Sequence, residues 1–369
     1  MPFEHGGTVF AAAMESGCRP EEILDFSASI NPLGISPAVR KACHEAIELS
    51  THYPDPDASH LVKAIAQRYG ISAEMVVPAN GSTSLIHLLP SVIPGDSALI
   101  LSPAFSEYEN ALRRHGWKVK HHILPCEDSF SLDTDSLCSR IQEEKPSILF
   151  FCNPANPTGA LYRIEDVKLL LDCCAKTGTI MVLDEAFMDF CGEENSFISH
   201  LAGFSNCILL RSMTKFHAIA GIRLGFAVAQ PETAAGLKGA LIPWEVSTMA
   251  QHAGIAAINE MGYQEETIKV INEERRFLTE RFKNIRGIEQ LFPSAANYLL
   301  IKLAPRLDAS MLKESLFRSH RILIRDCSNF TGLDRRFIRV AVRGRDENKT
   351  LAAALQKTTQ TPDKLSSSN

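Results

Sequence analysis

Residues 180–187 read Ile-Met-Val-Leu-Asp-Glu-Ala-Phe, and residues 207–215 read Cys-Ile-Leu-Leu-Arg-Ser-Met-Thr-Lys. Each is a short, continuous apolar run that stops abruptly in charged and hydroxyl residues. Runs of this kind are strands buried on both faces, as in a parallel sheet covered by helices. The rhythm extends outward through Met75-Val76-Val77, Ala98-Leu99-Ile100-Leu101, Ile148-Leu149-Phe150-Phe151 and Phe226-Ala227-Val228-Ala229, all bounded by Gly, Pro, Asn, Ser or Asp. A β-like run, Trp117 to Lys120, lies among them. Helical patterns fill the gaps: one at 61–69 closes on Gly70, and one at 164–176 is followed by Gly178. The alternation over about residues 59–230 predicts an α/β domain with a mostly parallel sheet.

Near residue 240 the rhythm stops. A long amphipathic stretch at 263–285 follows, and then strands around 297–303, 321–325 and 337–342 alternate with helical segments. The chain of 369 residues is too long for one ordinary core. We expect an N-terminal arm with part of a small domain at 1–45, a large domain at 46–250, a small α+β domain at 251–357, and a disordered tail at 358–369. A hydrophobic fraction of 45% with 22% charged residues is that of a soluble globular protein. Net charge is -5 without a basic block, which argues against nucleic acid or an anionic membrane as partner. No apolar run approaches eighteen residues and the first seventeen residues carry no export signal, so a cytoplasmic location is expected. The ten cysteines lack C-x-x-C spacing and read as reduced thiols. His121-His122 has no partner at ligand spacing, so no metal is expected.

Ligand sites in such folds form beyond the C-terminal ends of the strands. Four of those loops are unusual. Asn80-Gly81-Ser82-Thr83-Ser84 opens a helix and offers N–H groups to an anion, although alone it is equally an ordinary helix start. Asn153-Pro154-Ala155-Asn156-Pro157-Thr158-Gly159 fixes a turned backbone. Asp184 ends a buried strand, where a carboxylate is costly unless it meets a cation. Lys215 follows another strand, with Ser212 before it and Arg223 after it. An acid, a lysine, a phosphate-binding turn and an arginine at strand ends are what pyridoxal 5'-phosphate (PLP) requires: a Schiff-base lysine, an acid on the pyridine nitrogen, and donors for the phosphate.

At these residues the sequence resembles the fold type I PLP enzymes, in the aminotransferase-like branch that holds histidinol-phosphate aminotransferase and L-threonine O-3-phosphate decarboxylase. The resemblance runs from His5 to about Leu355 and implies a mostly parallel seven-stranded sheet plus a smaller α+β domain. It implies Lys215 as the Schiff-base lysine, Asp184 on the pyridine nitrogen, Asn156 on the ring hydroxyl and Tyr108 stacked on the ring. Gly81, Ser82, Thr83, Ser212 and Arg223 would bind the phosphate, with Tyr53 crossing from the second subunit of a homodimer. Phe187 stands where the aminotransferases usually carry Tyr, a departure that resembles the decarboxylase. His5-Gly6-Gly7, residues 25–34, Pro243-Trp244 and residues 321–330 also resemble the decarboxylase. The implied substrate is a phosphorylated amino acid, with Arg339 on its carboxylate, Arg325 on its phosphate, and His5, Gly6, Asn31 and Asn156 lining the pocket. Arg343 is either a further substrate residue or a surface ion pair. The implied reaction is decarboxylation of threonine phosphate within cobalamin nucleotide-loop assembly. Serine-phosphate decarboxylation and histidinol-phosphate transamination are the alternatives.

Overall fold

The computed structural model describes residues 5–360. The tail expected at 358–369 lies outside the described residues except for 358–360, which complete the helix Arg345–Gln360. After a two-residue strand β1 (Leu24–Asp25) come β2 (Val76–Ala79), β3 (Ser97–Ser102), β4 (Lys118–Ile123), β5 (Ile148–Cys152), β6 (Ile180–Asp184), β7 (Cys207–Ser212) and β8 (Gly225–Val228). Strands β2 to β8 form one seven-stranded sheet in the order β2-β8-β7-β6-β5-β3-β4. Strand β8 alone runs against the direction of the other six. The unbroken apolar runs follow from burial on both sides. Leu99, Leu149, Leu183 and Leu209 point into one core, while Ile100, Phe150, Val182 and Ile208 point into another on the opposite face.

Because β2, β3, β5, β6 and β7 run the same way, their C-terminal ends share one edge of the sheet. Strand β8 brings the chain back against the turn that follows β2. There a Cβ on Gly225 would lie 2.4 Å from the Ser82 amide nitrogen and 2.8 Å from the Arg211 carbonyl, so glycine alone admits the approach.

The second sheet holds β9 (Ile288–Leu291), β10 (Tyr298–Leu303), β12 (Arg325–Asp326) and β13 (Phe337–Ala341), in the order β12-β13-β10-β9, while β11 (Ile322–Leu323) pairs in parallel with β1. Ile301, Ile338 and Val340 pack there against Leu278 and Phe282 of the helix Met261–Phe282. The N-terminal segment is stitched to this unit: the Phe26 N–H donates to Leu323 O at 2.8 Å, and the Phe26 carbonyl accepts from Ala341 N–H at 2.8 Å.

One expectation about the thiols is corrected. Cys138, on the helix Thr134–Glu144, is disulfide-bonded to Cys173, on the helix Ile164–Thr177, with 5.8 Å between their Cα atoms. The two helices pack side by side, and a sequence separation of 35 gives no hint of that. The other eight cysteines are free.

Arg211 is 1% exposed. Next to Ser212 on β7, it points to the opposite face from the strand-end loops. It meets Glu193 at 2.7 Å, Asp189 at 3.2 Å and Glu185 at 3.4 Å. Burial pushes the Glu185 carboxyl up to about 7, against the pull of Arg211. Removing the guanidinium would leave these acids without their cation. We expect Arg211→Ala to destabilise the fold by about 3–5 kcal/mol, read as a fall in the denaturant midpoint; an unchanged midpoint would contradict this account.

Candidate active site

Lys215 lies on the single helical turn Met213–Phe216 that directly follows β7. Its Nζ donates to Ser212 Oγ at 3.0 Å and sits 5.3 Å from the centre of the Phe187 ring. Burial holds the amine down from 10.5 to about 8, with Arg223 and Arg339 pushing the same way and Asp184 opposing them. Asp184 ends β6 at 3% exposure. Its carboxylate accepts the Tyr108 hydroxyl at 2.6 Å and the Ala186 N–H at 2.9 Å. Burial raises its pKa, while the Tyr108 hydrogen bond and the Lys215 charge pull it down.

Tyr108, on the helix Ser106–Arg114, stacks on Phe150 with centroids 4.7 Å apart and planes 12° apart. That stacking aims its hydroxyl at Asp184. The sequence resemblance implies Tyr108 as a catalytic and ring-stacking residue, and the hydrogen bond to Asp184 has no signal in the sequence. Asn156, in the loop after β5, is buried and its Oδ1 accepts from Arg339 Nη1. Phe187 turns its edge to Tyr298 and lines the cavity.

At the other end of the cavity, Gly81 has a φ of +79° and caps the helix Ser82–Val92 without any side chain. The first N–H groups of that helix therefore face outward, ready for an anion. A Cβ on Gly81 would lie 2.5 Å from Arg223 Nη2, so the glycine lets the guanidinium close over the turn. Ser82, Thr83 and Arg223 line the cavity.

Arg325 and Arg339 face each other across β12 and β13. Both are nearly buried, at 8% and 7% exposure. Arg339 Nη2 donates to the Ser27 carbonyl at 3.1 Å, and its buried Nε meets no protein acceptor. Arg325 donates to Asn329 Oδ1 at 2.8 Å and lies over Phe330. The N-terminal arm closes this end. A Cβ on Gly6 would lie 2.2 Å from the Ser27 carbonyl oxygen, the Gly7 N–H donates to Ser27 Oγ at 2.9 Å, and His5 Nε2 contacts Glu107 at 2.8 Å.

These groups surround one cavity of about 520 Å³. Among the described residues, Lys215, Arg223, Arg325 and Arg339 line it, together with the carboxylates of Asp25 and Asp184. A cavity with that excess of cations suits ligands carrying several negative charges. A larger cleft of about 790 Å³, beside residues 272–299, lies away from the strand ends and from this cluster.

Three expected site residues stand elsewhere. Arg343 is held by Glu347 at 2.8 Å and donates to the Asp25 carbonyl at 3.1 Å, so it realises the ion-pair reading and is not a cavity wall. Asn31 donates to Phe216 O, Tyr263 Oη and Thr267 Oγ1, and its N–H bonds Lys215 O at 3.0 Å. It fastens the lysine segment to the helix Met261–Phe282 and does not line the pocket. Tyr53 is 79% exposed and stacked on Trp244 at 4.5 Å, outside its own chain's cavity. Conversely, Ser27, Ala28 and Ser29 line the cavity without having been assigned. Their only sequence signal was the run of small residues that lets the arm lie so close.

The arrangement fits PLP by its own geometry. A depressed amine, a buried acid 31 positions earlier at the neighbouring strand end, and an uncapped helix start under an arginine match the aldehyde, ring nitrogen and phosphate. The aminotransferase class I and II family profile matches residues 21–355. Threonine-phosphate decarboxylase of Salmonella typhimurium is 35% identical over 353 residues, spanning 95% of this chain and 95% of that protein. Among solved structures, histidinol-phosphate aminotransferase from Clostridium acetobutylicum superposes with a TM-score of 0.85 at 30% identity, covering 92% of this chain and 99% of that one. L-threonine-O-3-phosphate decarboxylase from Porphyromonas gingivalis superposes with a TM-score of 0.81 at 25% identity, covering 92% of this chain and 100% of that one. The chain thus belongs to the aminotransferase class I and II family, as a PLP-dependent enzyme of fold type I.

Proposed function

We propose that this enzyme decarboxylates a phosphorylated amino acid, L-threonine O-3-phosphate, to (R)-1-amino-2-propanol O-2-phosphate, a product the sequence resemblance links to cobalamin assembly. The observation that carries this reading is the pair of nearly buried arginines at matching positions on β12 and β13, in the cavity that holds Lys215. Two planar guanidinium forks lining one cavity suit a substrate with a carboxylate and a phosphate on one small frame. Identity of 35% to a decarboxylase supports the same reading.

When bound, the cofactor supplies an electron sink for whichever α-carbon bond is aligned with it. Alignment is the work of the protein. Arg339 holds the carboxylate from β13 and is itself braced by Asn156 and the Ser27 carbonyl. Arg325 holds the phosphate and so sets the tilt of the whole substrate, including which bond is presented. Lys215 Nζ is the group placed to deliver the proton that replaces the lost carboxylate. Asp184 keeps a proton on the ring nitrogen, with Tyr108 bracing the acid. The arm at His5, Gly6 and Gly7 covers the substrate end and sheds water from it.

A second copy of the chain supplies Tyr53 to the cofactor phosphate in this proposal. The exposed stack of Tyr53 on Trp244, both large and apolar, is the surface such a copy would cover. Sedimentation should show a dimer at assay concentration, and a fully active monomer would contradict it.

The Lys215 amine gives a pH dependence. Its value in the fold, about 8, lies below the ordinary 10.5, so between these pH values the unfolded chain binds a proton that the folded one has lost. The cofactor-free protein should gain stability as pH rises through that window. Attachment of PLP, followed by its visible absorption, should speed up with pH and level off above about pH 8. A rate still climbing toward pH 10 would refute the depressed amine. Lys215→Ala should yield no borohydride-stable adduct.

The reaction itself is tested with threonine phosphate and no added keto acid. Carbon dioxide and amine should appear together. Arg325→Ala should cost roughly 2–5 kcal/mol in kcat/KM, with unphosphorylated threonine a poor substrate for the parent. Stoichiometric consumption of an α-keto acid without carbon dioxide would assign the aminotransferase activity instead.

A further inference from the structure

We infer that Glu245 is a positioning residue for the grip on the cofactor phosphate. Its Oε1 accepts the Asn80 N–H at 3.2 Å and the Ser84 hydroxyl at 2.5 Å. Asn80 and Ser84 bracket Gly81-Ser82-Thr83, the turn whose Ser82 and Thr83 line the cavity. One carboxylate from 165 residues downstream therefore clamps both ends of the turn.

The turn needs such a clamp. Gly81 sits at a positive φ and has no side chain to cap the helix. Glycine pays the largest entropy when fixed in one conformation. The local bonds across the turn are the Gly81 N–H to Ala79 O at 2.7 Å and the Ser84 N–H to Gly81 O at 3.2 Å. Arg223 lies close against Gly81, where a Cβ would meet its Nη2 at 2.5 Å. Glu245 clamps the turn from a loop that is itself held at both sides. Trp244, at a φ of +59°, bends the backbone and stacks on Tyr53, and Ser247 Oγ caps the helix Thr248–Ile258 through the Ala250 N–H at 3.2 Å.

A carboxylate so near an anion cup opposes phosphate binding by charge alone. Glu245 is therefore no ligand, and its benefit is geometric: the turn's N–H groups stay aimed while the acid is neutralised in part by the two donors it accepts. The inference concerns the cofactor and holds whichever reaction the enzyme performs.

The test is titration of the cofactor-free protein with PLP and, separately, with pyridoxal, which lacks the phosphate. Binding is followed by absorbance. Loss of both charge-assisted bonds should weaken PLP about tenfold in Glu245→Ala and leave pyridoxal affinity within about twofold. Glu245→Gln, which keeps an acceptor oxygen, should recover most of the PLP affinity. Ser84→Ala removes one bond of the two and should show a smaller loss; it also serves if the alanine variant does not fold. Equal losses for PLP and pyridoxal, an unchanged PLP affinity, or tighter PLP binding once the charge is gone would each overturn the assignment.

Discussion

A carboxylate buried at the end of a strand in the middle of a sheet is the constraint on which the site is built. Asp184 has lost most of its water, and burial alone would drive it neutral. What keeps it serviceable is convergence. Tyr108 reaches it from beyond β3 with a hydroxyl, the following turn contributes the Ala186 N–H, and Lys215 adds a positive charge from beyond β7. Each helper leaves a different strand at the same sheet edge, which is possible because those strands are parallel. The lysine is altered in turn, since the burial that troubles the acid also holds the amine down to about 8. An acid and an amine thus tune each other, and neither would be reactive alone.

The substrate end answers a different problem, that of two guanidinium groups side by side in little water. Strands β12 and β13 give Arg325 and Arg339 matching positions, and Phe330 and Tyr298 lend their ring faces to spread the charge. Carbonyl and amide oxygens from Ser27 and Asn156 satisfy part of the Arg339 donor set without neutralising it, and Asn329 accepts from Arg325. The contrast with Arg211 and Arg343 is instructive. Those two arginines are matched by carboxylates and serve the fold. Arg339, partnered by neutral acceptors, retains charge for a ligand.

The cofactor end was legible in the sequence because its parts are local: strand, loop and reactive side chain lie within a few residues of one another. Lys215 follows Ser212 by three positions, and Asp184 terminates its own apolar run. The apolar runs themselves announced the sheet, since burial on both faces leaves no alternation to misread. Where contacts join distant segments, the sequence was mute. Nothing near Asn31 announced that its amide would tie Lys215 to residues more than 230 positions on, and the apposition of Cys138 and Cys173 depends on how two helices pack. For Arg343 the local sequence did hold the answer, in Glu347 one helical turn later, and the i,i+4 pairing outweighed the pull of the nearby pocket.

This division between local and long-range assembly also explains how one scaffold hosts different reactions. Moving Lys215, Asp184 or the Gly81 turn would spoil the cofactor in any member, and all are anchored in the sheet. The substrate end is gathered from the arm at His5, the strap at Ser27 and two strands of the second sheet, none of which belongs to the seven-stranded frame. In the proposed reading, changes in these pieces would re-aim the substrate while leaving the seven-stranded frame in place. Since the bond that breaks is the one held in alignment, re-aiming alters the reaction and not merely the affinity. That is why close superposition on both an aminotransferase and a decarboxylase carries less weight for the reaction than the two arginines do. The fold is common to both activities, while the direction in which β12 and β13 pull an anionic substrate belongs to each enzyme.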